Sequence, residues 1–169
     1  PGTYSLNASS MDESVVIELL LNRNNKDFPD VAVVVTDVEN LKRNLLLFTQ
    51  IKDLEIPTLL VVNMSDQMKR KGISIEVEQL QADLGTQVIL TSMRHQEGVV
   101  VLKEALVNYR QLPTTPLLDL ETIDADYFSR LQKTFPTESL YKLWLVITQD
   151  VNFSSLERKR IQAASDFKV

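Results

Sequence analysis

Apolar positions along this chain fall into two patterns, and their order predicts an α/β fold. Behind Ser10-x-x-Glu13, a capping box, Val15, Val16, Leu19 and Leu20 recur at helical spacing and predict a helix over about residues 11–22. Val31–Thr36 is an unbroken apolar run after Pro29-Asp30, as expected of a strand covered on both faces. Asn40 is placed to cap a helix reaching Leu54, with Leu41, Leu45, Phe48 and Ile51 in line. Ile56-Pro57 stops it, and Thr58–Val62 reads as the next strand. Ser65 to Lys71 predicts a short helix or turn closed by Gly72, and Ser74 caps another helix with Val77, Leu80 and Leu84 inward, ended by Gly85. A third strand, Gln87–Thr91, precedes a helix from about Glu97 to Arg110. Such alternation gives a parallel sheet with right-handed crossovers.

Pro113-Thr114-Thr115-Pro116 reads as a linker, with a Pro at each end that discourages helix. Beyond it the period stays helical: Asp126–Phe135, then Glu138–Gln149 capped by Thr137, then a helix opened by Ser154-x-x-Glu157. Residues 113–169 are therefore expected to form an all-helical appendage to residues 1–112.

Composition narrows the class. A chain of 169 residues that is 44% hydrophobic and 24% charged suits one globular domain, or one with a small appendage. The net charge of −5 argues against nucleic acid as the main partner. Without Cys there are no disulfides, thiolate metal sites or Cys nucleophiles. The longest apolar runs are about six residues, too short for a membrane span.

Candidate chemistry lies where two of the strands end. Leu59–Val62 runs into Asn63-Met64-Ser65-Asp66, at the carboxyl edge where open α/β sheets bind ligands. The two carboxylate oxygens of Asp66 suit the ring N1–H and exocyclic N2–H of guanine, and the Asn63 amide suits the loop and the base N7. Val88-Ile89-Leu90 likewise ends in Thr91-Ser92-Met93-Arg94, where guanine-nucleotide proteins place a loop whose backbone N–H meets the guanine O6. Pro1-Gly2 is similar to the tail of Asp-x-x-Gly, whose Gly N–H senses a γ-phosphate. Other polar residues carry plainer readings. His95 and Lys69-Arg70-Lys71 read as solvated, Trp144 as a core or inter-domain contact, and Asp124 and Asp126 as cap and turn residues.

Pro1-Gly2-Thr3-Tyr4-Ser5-Leu6, Ser10-Met11-Asp12-Glu13, Asn40-Leu41-x-Arg43-Asn44-Leu45 and Asn63-Met64-x-Asp66 together resemble the cytoplasmic G domain of ferrous iron transport protein B (FeoB). Lys71-Gly72-Ile73 through Leu80, and Thr91-Ser92 through Gly98-Val99, continue the likeness, which covers roughly residues 1–110. Met64 also fits, because this family commonly has Met where many small GTPases have Lys. The resemblance implies a P-loop GTPase-type α/β fold, a mostly parallel sheet flanked by helices, with its N-terminal strands missing. It makes residues 1–9 switch II and the C-terminal helices an incomplete copy of a domain that modulates GDP release. Gly2, Asn63, Met64, Asp66, Ser92, Met93 and Arg94 become the expected nucleotide contacts.

None of the four glycines sits in Gly-x-x-x-x-Gly-Lys-Ser/Thr, so the phosphate-wrapping loop is not in this sequence. Roughly 50–60 residues of a G domain are expected to lie outside it, leaving the strand at Val31–Thr36 with an edge that invites another chain. GTP or GDP is the expected cofactor, with Mg²⁺ in the complete domain on ligands not in this chain. No catalytic residue is assigned, and this chain alone is expected to be inactive. Implied partners are the membrane-embedded permease part of the same protein and a homo-oligomer, at the cytoplasmic face of the bacterial inner membrane. The implied function is guanine nucleotide binding and hydrolysis coupled to Fe(II) uptake. The alternative is a non-catalytic α/β interaction module with a decayed nucleotide site.

Overall fold

A computed structural model describes Ser5, Leu6 and residues 11–148, with the side chains of residues 11–13 left aside. Its elements in order are α1 (Met11–Leu21), β1 (Ala32–Asp37), α2 (Leu41–Asp53), β2 (Thr58–Asn63), α3 (Met68–Lys71), α4 (Val77–Leu84), β3 (Val88–Leu90), α5 (Val99–Val107), α6 (Ala125–Thr134) and α7 (Leu140–Thr148). The chain divides into two compact units. One is Pro29–Leu117; the other joins the segment up to Phe28 with that from Leu118 on.

In the first unit the strands form a parallel sheet in the order β1-β2-β3, with Val35 beside Val61 and Val61 beside Ile89. Sequential strands are neighbours, so each crossover carries helix and the sheet grows in one direction. The central strand is sealed: Leu59, Leu60, Val61 and Val62 are each 0% exposed. On one face Leu59, Val61 and Ile89 pack with Ala105 of α5, backed by Leu102, Leu106 and Leu112. On the other lies α2, whose Asn44 Nδ2 donates to Thr36 Oγ1 of β1 at 2.7 Å.

The expectation that β1 is covered on both faces is corrected. Val33 and Val35 lie on the α5 face yet remain 37% and 61% exposed. A helix about 10 Å across spans two strands set about 4.8 Å apart, and α5 is centred over β2 and β3.

Caps also depart from the sequence reading. The Asn40 side chain makes no cap to α2; its Nδ2 donates instead to both carboxylate oxygens of Asp37. Ser74 lies outside α4, which begins at Val77 behind Glu76. For α7 the capping hydroxyl is Ser139, not Thr137: its Oγ accepts the Lys142 N–H at 3.1 Å. Asn40 stands at the N-cap position but spends its side chain on Asp37, whereas Ser74 and Thr137 each lie two residues before the position from which their helix starts.

In the second unit α1 buries Ile17, Leu20 and Leu21, while Val15 is 62% exposed. The expected face, Val15-Val16-Leu19-Leu20, is thus rotated. An apolar run as dense as Val15–Leu21 satisfies several helical faces at once, and tertiary packing selects among them. α6 packs against α7 and against a 3₁₀ turn at Leu120–Thr122. Asp124 accepts the Tyr127 N–H at 2.9 Å and caps α6, as its sequence context suggested. Within this unit Phe128, Leu131, Leu143, Leu145 and Val146 are buried. The helix expected from Ser154 lies outside the described residues.

Candidate functional site

The carboxyl ends of β2 and β3 are adjacent because the strands pair in register, Val62 beside Leu90. Two backbone bonds continue the pairing past the strands: Thr91 N–H to Val62 O at 2.9 Å, and Ser65 N–H to Thr91 O at 3.0 Å. Asn63-Met64-Ser65-Asp66 and Thr91-Ser92-Met93-Arg94 therefore leave the sheet side by side.

Met64 turns the first loop with φ 65° and ψ 30°, a left-handed conformation unusual for a residue with a Cβ. That turn starts a 3₁₀ turn at Ser65–Gln67 and presents Asp66 to the second loop. Ser92, 1% exposed, donates its hydroxyl to Asp66 Oδ1 at 2.7 Å. This bond, with the Asp66 backbone N–H and the nearby His95 and Arg94 side chains, holds the carboxyl below its ordinary range against partial desolvation. Asp66 is thus ionised and aimed. The His95 Nε2 lies 3.9 Å from Asp66 Oδ2, too far for a hydrogen bond, and its side chain is 50% exposed.

Asn63 ties the loops together from the other side. Its Oδ1 accepts the Met93 N–H at 3.1 Å and the Thr91 hydroxyl at 3.3 Å. Its Nδ2 has no acceptor among the described residues and remains a donor at the edge. The Ser92 N–H is used by Glu97 O at 3.1 Å and that of Met93 by Asn63, so the Arg94 N–H is the amide in this stretch without an acceptor among the described residues.

The second loop is closed by a bridge between Ser92 and Glu97, which brings Gly98 under the end of β3. Gly98 has φ 74°, and a Cβ there would sit 2.3 Å from the Leu90 carbonyl oxygen. Only glycine fits both the backbone conformation and that space. Sequence reasoning missed Gly98 and Thr91 as site-forming residues. A glycine directly before the apolar run opening α5 was the available signal for the first; the second opens the candidate loop but was not among the expected nucleotide contacts.

Beside this site, Asp37 at the end of β1 accepts from the Glu39 and Asn40 N–H groups, each at 2.9 Å, and from the Asn40 side chain. The Asn40 amide is the main reason its carboxyl lies below the ordinary range, helped by those N–H groups and by Lys71 and opposed by desolvation. Lys71, on the basic stretch read as solvated, pairs with Glu39, and Arg70 donates to Gln67 Oε1 at 2.9 Å. The Asn40 and Asn44 amides thus shape the end of β1, which gives the Asn-Leu-x-Arg-Asn-Leu string a physical role.

The structure brings Asn63, Met64, Asp66, Ser92, Met93 and Arg94 together, and Gly2 lies outside the described residues. No group of three His, Asp or Glu side chains that could hold a metal ion occurs among the described residues.

The Fe(2+) transporter FeoB of Escherichia coli strain K12 is 31% identical over 142 residues, 82% of this chain and 18% of that protein. The chain spans less than a fifth of the length of such curated relatives. Among solved structures, the cytosolic domain of T. maritima FeoB in a GDP form matches with a TM-score of 0.72 at 28% identity, covering 94% of this chain and 68% of that one. The mGMPPNP-bound NFeoB from S. thermophilus also matches with a TM-score of 0.72, at 30% identity, covering 96% of this chain and 64% of that one. The family model for ferrous iron transport protein B matches residues 1–106. On that match and the shared fold, the chain belongs to the ferrous iron transport protein B family and contains part of its G domain.

Proposed function

We propose that this chain supplies the base-selecting half of a guanine-nucleotide site. The observation that carries the reading is the Asp66 carboxylate, ionised, fixed through Oδ1 by the buried Ser92 hydroxyl and open at Oδ2. A carboxylate so held accepts the N1–H and N2–H of guanine as a pair, a charge-assisted geometry that adenine cannot match. The Asn63 Nδ2 serves the base N7, and the Arg94 N–H is the backbone donor of the second loop that serves O6. The related cytosolic domains in GDP and mGMPPNP forms support a guanine nucleotide as the ligand.

In the complete protein, this half joins a phosphate-binding half, and GTP binding and slow hydrolysis couple to Fe(II) uptake through the membrane-embedded part. Residues 1–112 then belong to the G domain and residues 113–169 to the helical domain that modulates GDP release, both on the cytoplasmic face. Gly2 senses the γ-phosphate. Among the described residues, no helix is long and apolar enough to cross a membrane.

Backbone N–H groups and a Lys around the phosphates supply most of the binding energy in P-loop proteins. Base contacts worth about 1–3 kcal/mol each must offset several kcal/mol of lost ligand freedom. A polypeptide of this sequence is therefore expected to bind GDP no better than roughly millimolar. Amide shifts on titration with GDP and, separately, ADP test the reading. GDP should move Asn63, Asp66 and residues 92–94 selectively; equal shifts with both nucleotides, or shifts elsewhere only, would overturn it.

A further inference from the structure

The segment Pro113–Leu117, which takes in the Pro113–Pro116 stretch that reads as a linker, is fastened at both ends to the end of α2. Lys52 is 1% exposed, and its ammonium donates to Pro113 O and to Gly85 O, each at 3.1 Å. Asp53, 5% exposed, accepts the Leu117 N–H through Oδ1 at 2.7 Å. Leu117 is the last residue of the compact unit that contains the sheet, and Leu118 is the first of the other. Two adjacent charged side chains therefore hold the stretch up to the residue where one unit gives way to the next.

We propose that Lys52 and Asp53 form a latch on the segment that leaves the sheet-containing unit, holding Pro113–Leu117 in place while it is shut and releasing that segment when it opens. The chemistry favours this over a packing role. An ammonium presents three donors and can bridge carbonyls from two separate segments, which no aliphatic side chain can do. A buried charge is costly unless paired, and burial does depress the Lys52 pKa, opposed by the neighbouring Asp53 carboxylate. The same ammonium holds Gly85, at the turn that enters β3, so the exit segment is tied to the strand that leads into the Ser92 loop.

The flanking residues make the latch measurable. Leu117 and Leu118 are each 37% exposed, and thermolysin cleaves before leucine, so the Leu117–Leu118 bond reports whether the segment is held. Cleavage at that bond and hydrogen exchange of the Leu117 N–H are compared in the native chain, Lys52→Met and Asp53→Asn. Lys52→Met keeps the side-chain volume and removes the donors; Asp53→Asn keeps the shape and weakens the acceptor. Both should raise cleavage and Leu117 exchange at least about tenfold, the scale of one lost charge-assisted hydrogen bond, while exchange of the central β2 amides stays unchanged. Unchanged cleavage and exchange in the variants would overturn the latch, as would rates that rise in step with those of β2, which reports global unfolding. Should Lys52→Met fail to fold, Asp53→Asn decides the matter alone.

Discussion

Ser92 and Asp66, 26 residues apart in sequence, meet through a 2.7 Å hydrogen bond from the serine hydroxyl to Asp66 Oδ1. This bond is the largest single reason the Asp66 carboxyl titrates below its ordinary value of 3.8. A depressed carboxyl contributes stability that is present above the unfolded-state pKa and is lost as pH falls through the folded-state pKa. Ser92→Ala should therefore raise the Asp66 pKa and shift the acid-induced loss of that contribution to higher pH. Carboxyl carbon shifts of Asp66 followed from pH 7 to pH 2 check this directly; an unchanged midpoint would mean that the bond does not govern the carboxylate.

Replacing the carboxylate itself should change base preference rather than merely weaken binding. In Asp66→Asn the amide offers one donor and one acceptor, which suits the ring carbonyl at position 2 of xanthine. In the complete domain, GDP affinity measured by titration should fall by roughly 10- to 100-fold, the range of a truncated charge-assisted pair, and that for the xanthine diphosphate should rise. Equal losses for both nucleotides would point to damage of the loop instead.

Two backbone positions make opposite predictions. Gly98→Ala combines φ 74° with a Cβ placed 2.3 Å from the Leu90 carbonyl oxygen, so it should destabilise by roughly 2–4 kcal/mol and disturb the Ser92 loop. Glu55 holds φ 60° just after α2, where glycine carries no Cβ penalty. Glu55→Gly should be neutral to stabilising, by up to about 1 kcal/mol once its greater unfolded-state entropy is counted. Urea unfolding of the two variants beside the native chain measures both.

Lys52 gives an alkaline signature. Its pKa is lowered in the folded state from an ordinary 10.5, chiefly by desolvation, so between the two values the unfolded chain binds more protons. The contribution of Lys52 to stability must then rise with pH through that window. The native chain should gain stability relative to Lys52→Met as pH climbs from the folded pKa towards 10.5. A difference that stays flat with pH would show that the ammonium is not desolvated.

The alternation of elements and the place of the chemistry follow from the order of the residues alone. Runs such as Leu59–Val62 can be buried only at the centre of a sheet, and the strand is 0% exposed across those four residues. Asn63, Asp66 and Ser92 were legible because they stand directly after such runs, where strand ends and ligand edges coincide. Their roles within the loop were not. Which N–H groups are already used depends on the bridge between Ser92 and Glu97 and on Asn63 Oδ1 reaching Met93, contacts between residues up to 30 apart. The face buried by α1 was undecided because Val15–Leu21 is apolar nearly all round. Only the tertiary structure selects Ile17, Leu20 and Leu21. The same holds for Pro113–Leu117: two prolines forbid a helix there, but they do not say whether the segment is free. That was decided by the end of α2, where the ammonium of Lys52 and the carboxylate of Asp53 find a carbonyl and an N–H more than 60 residues further along the chain.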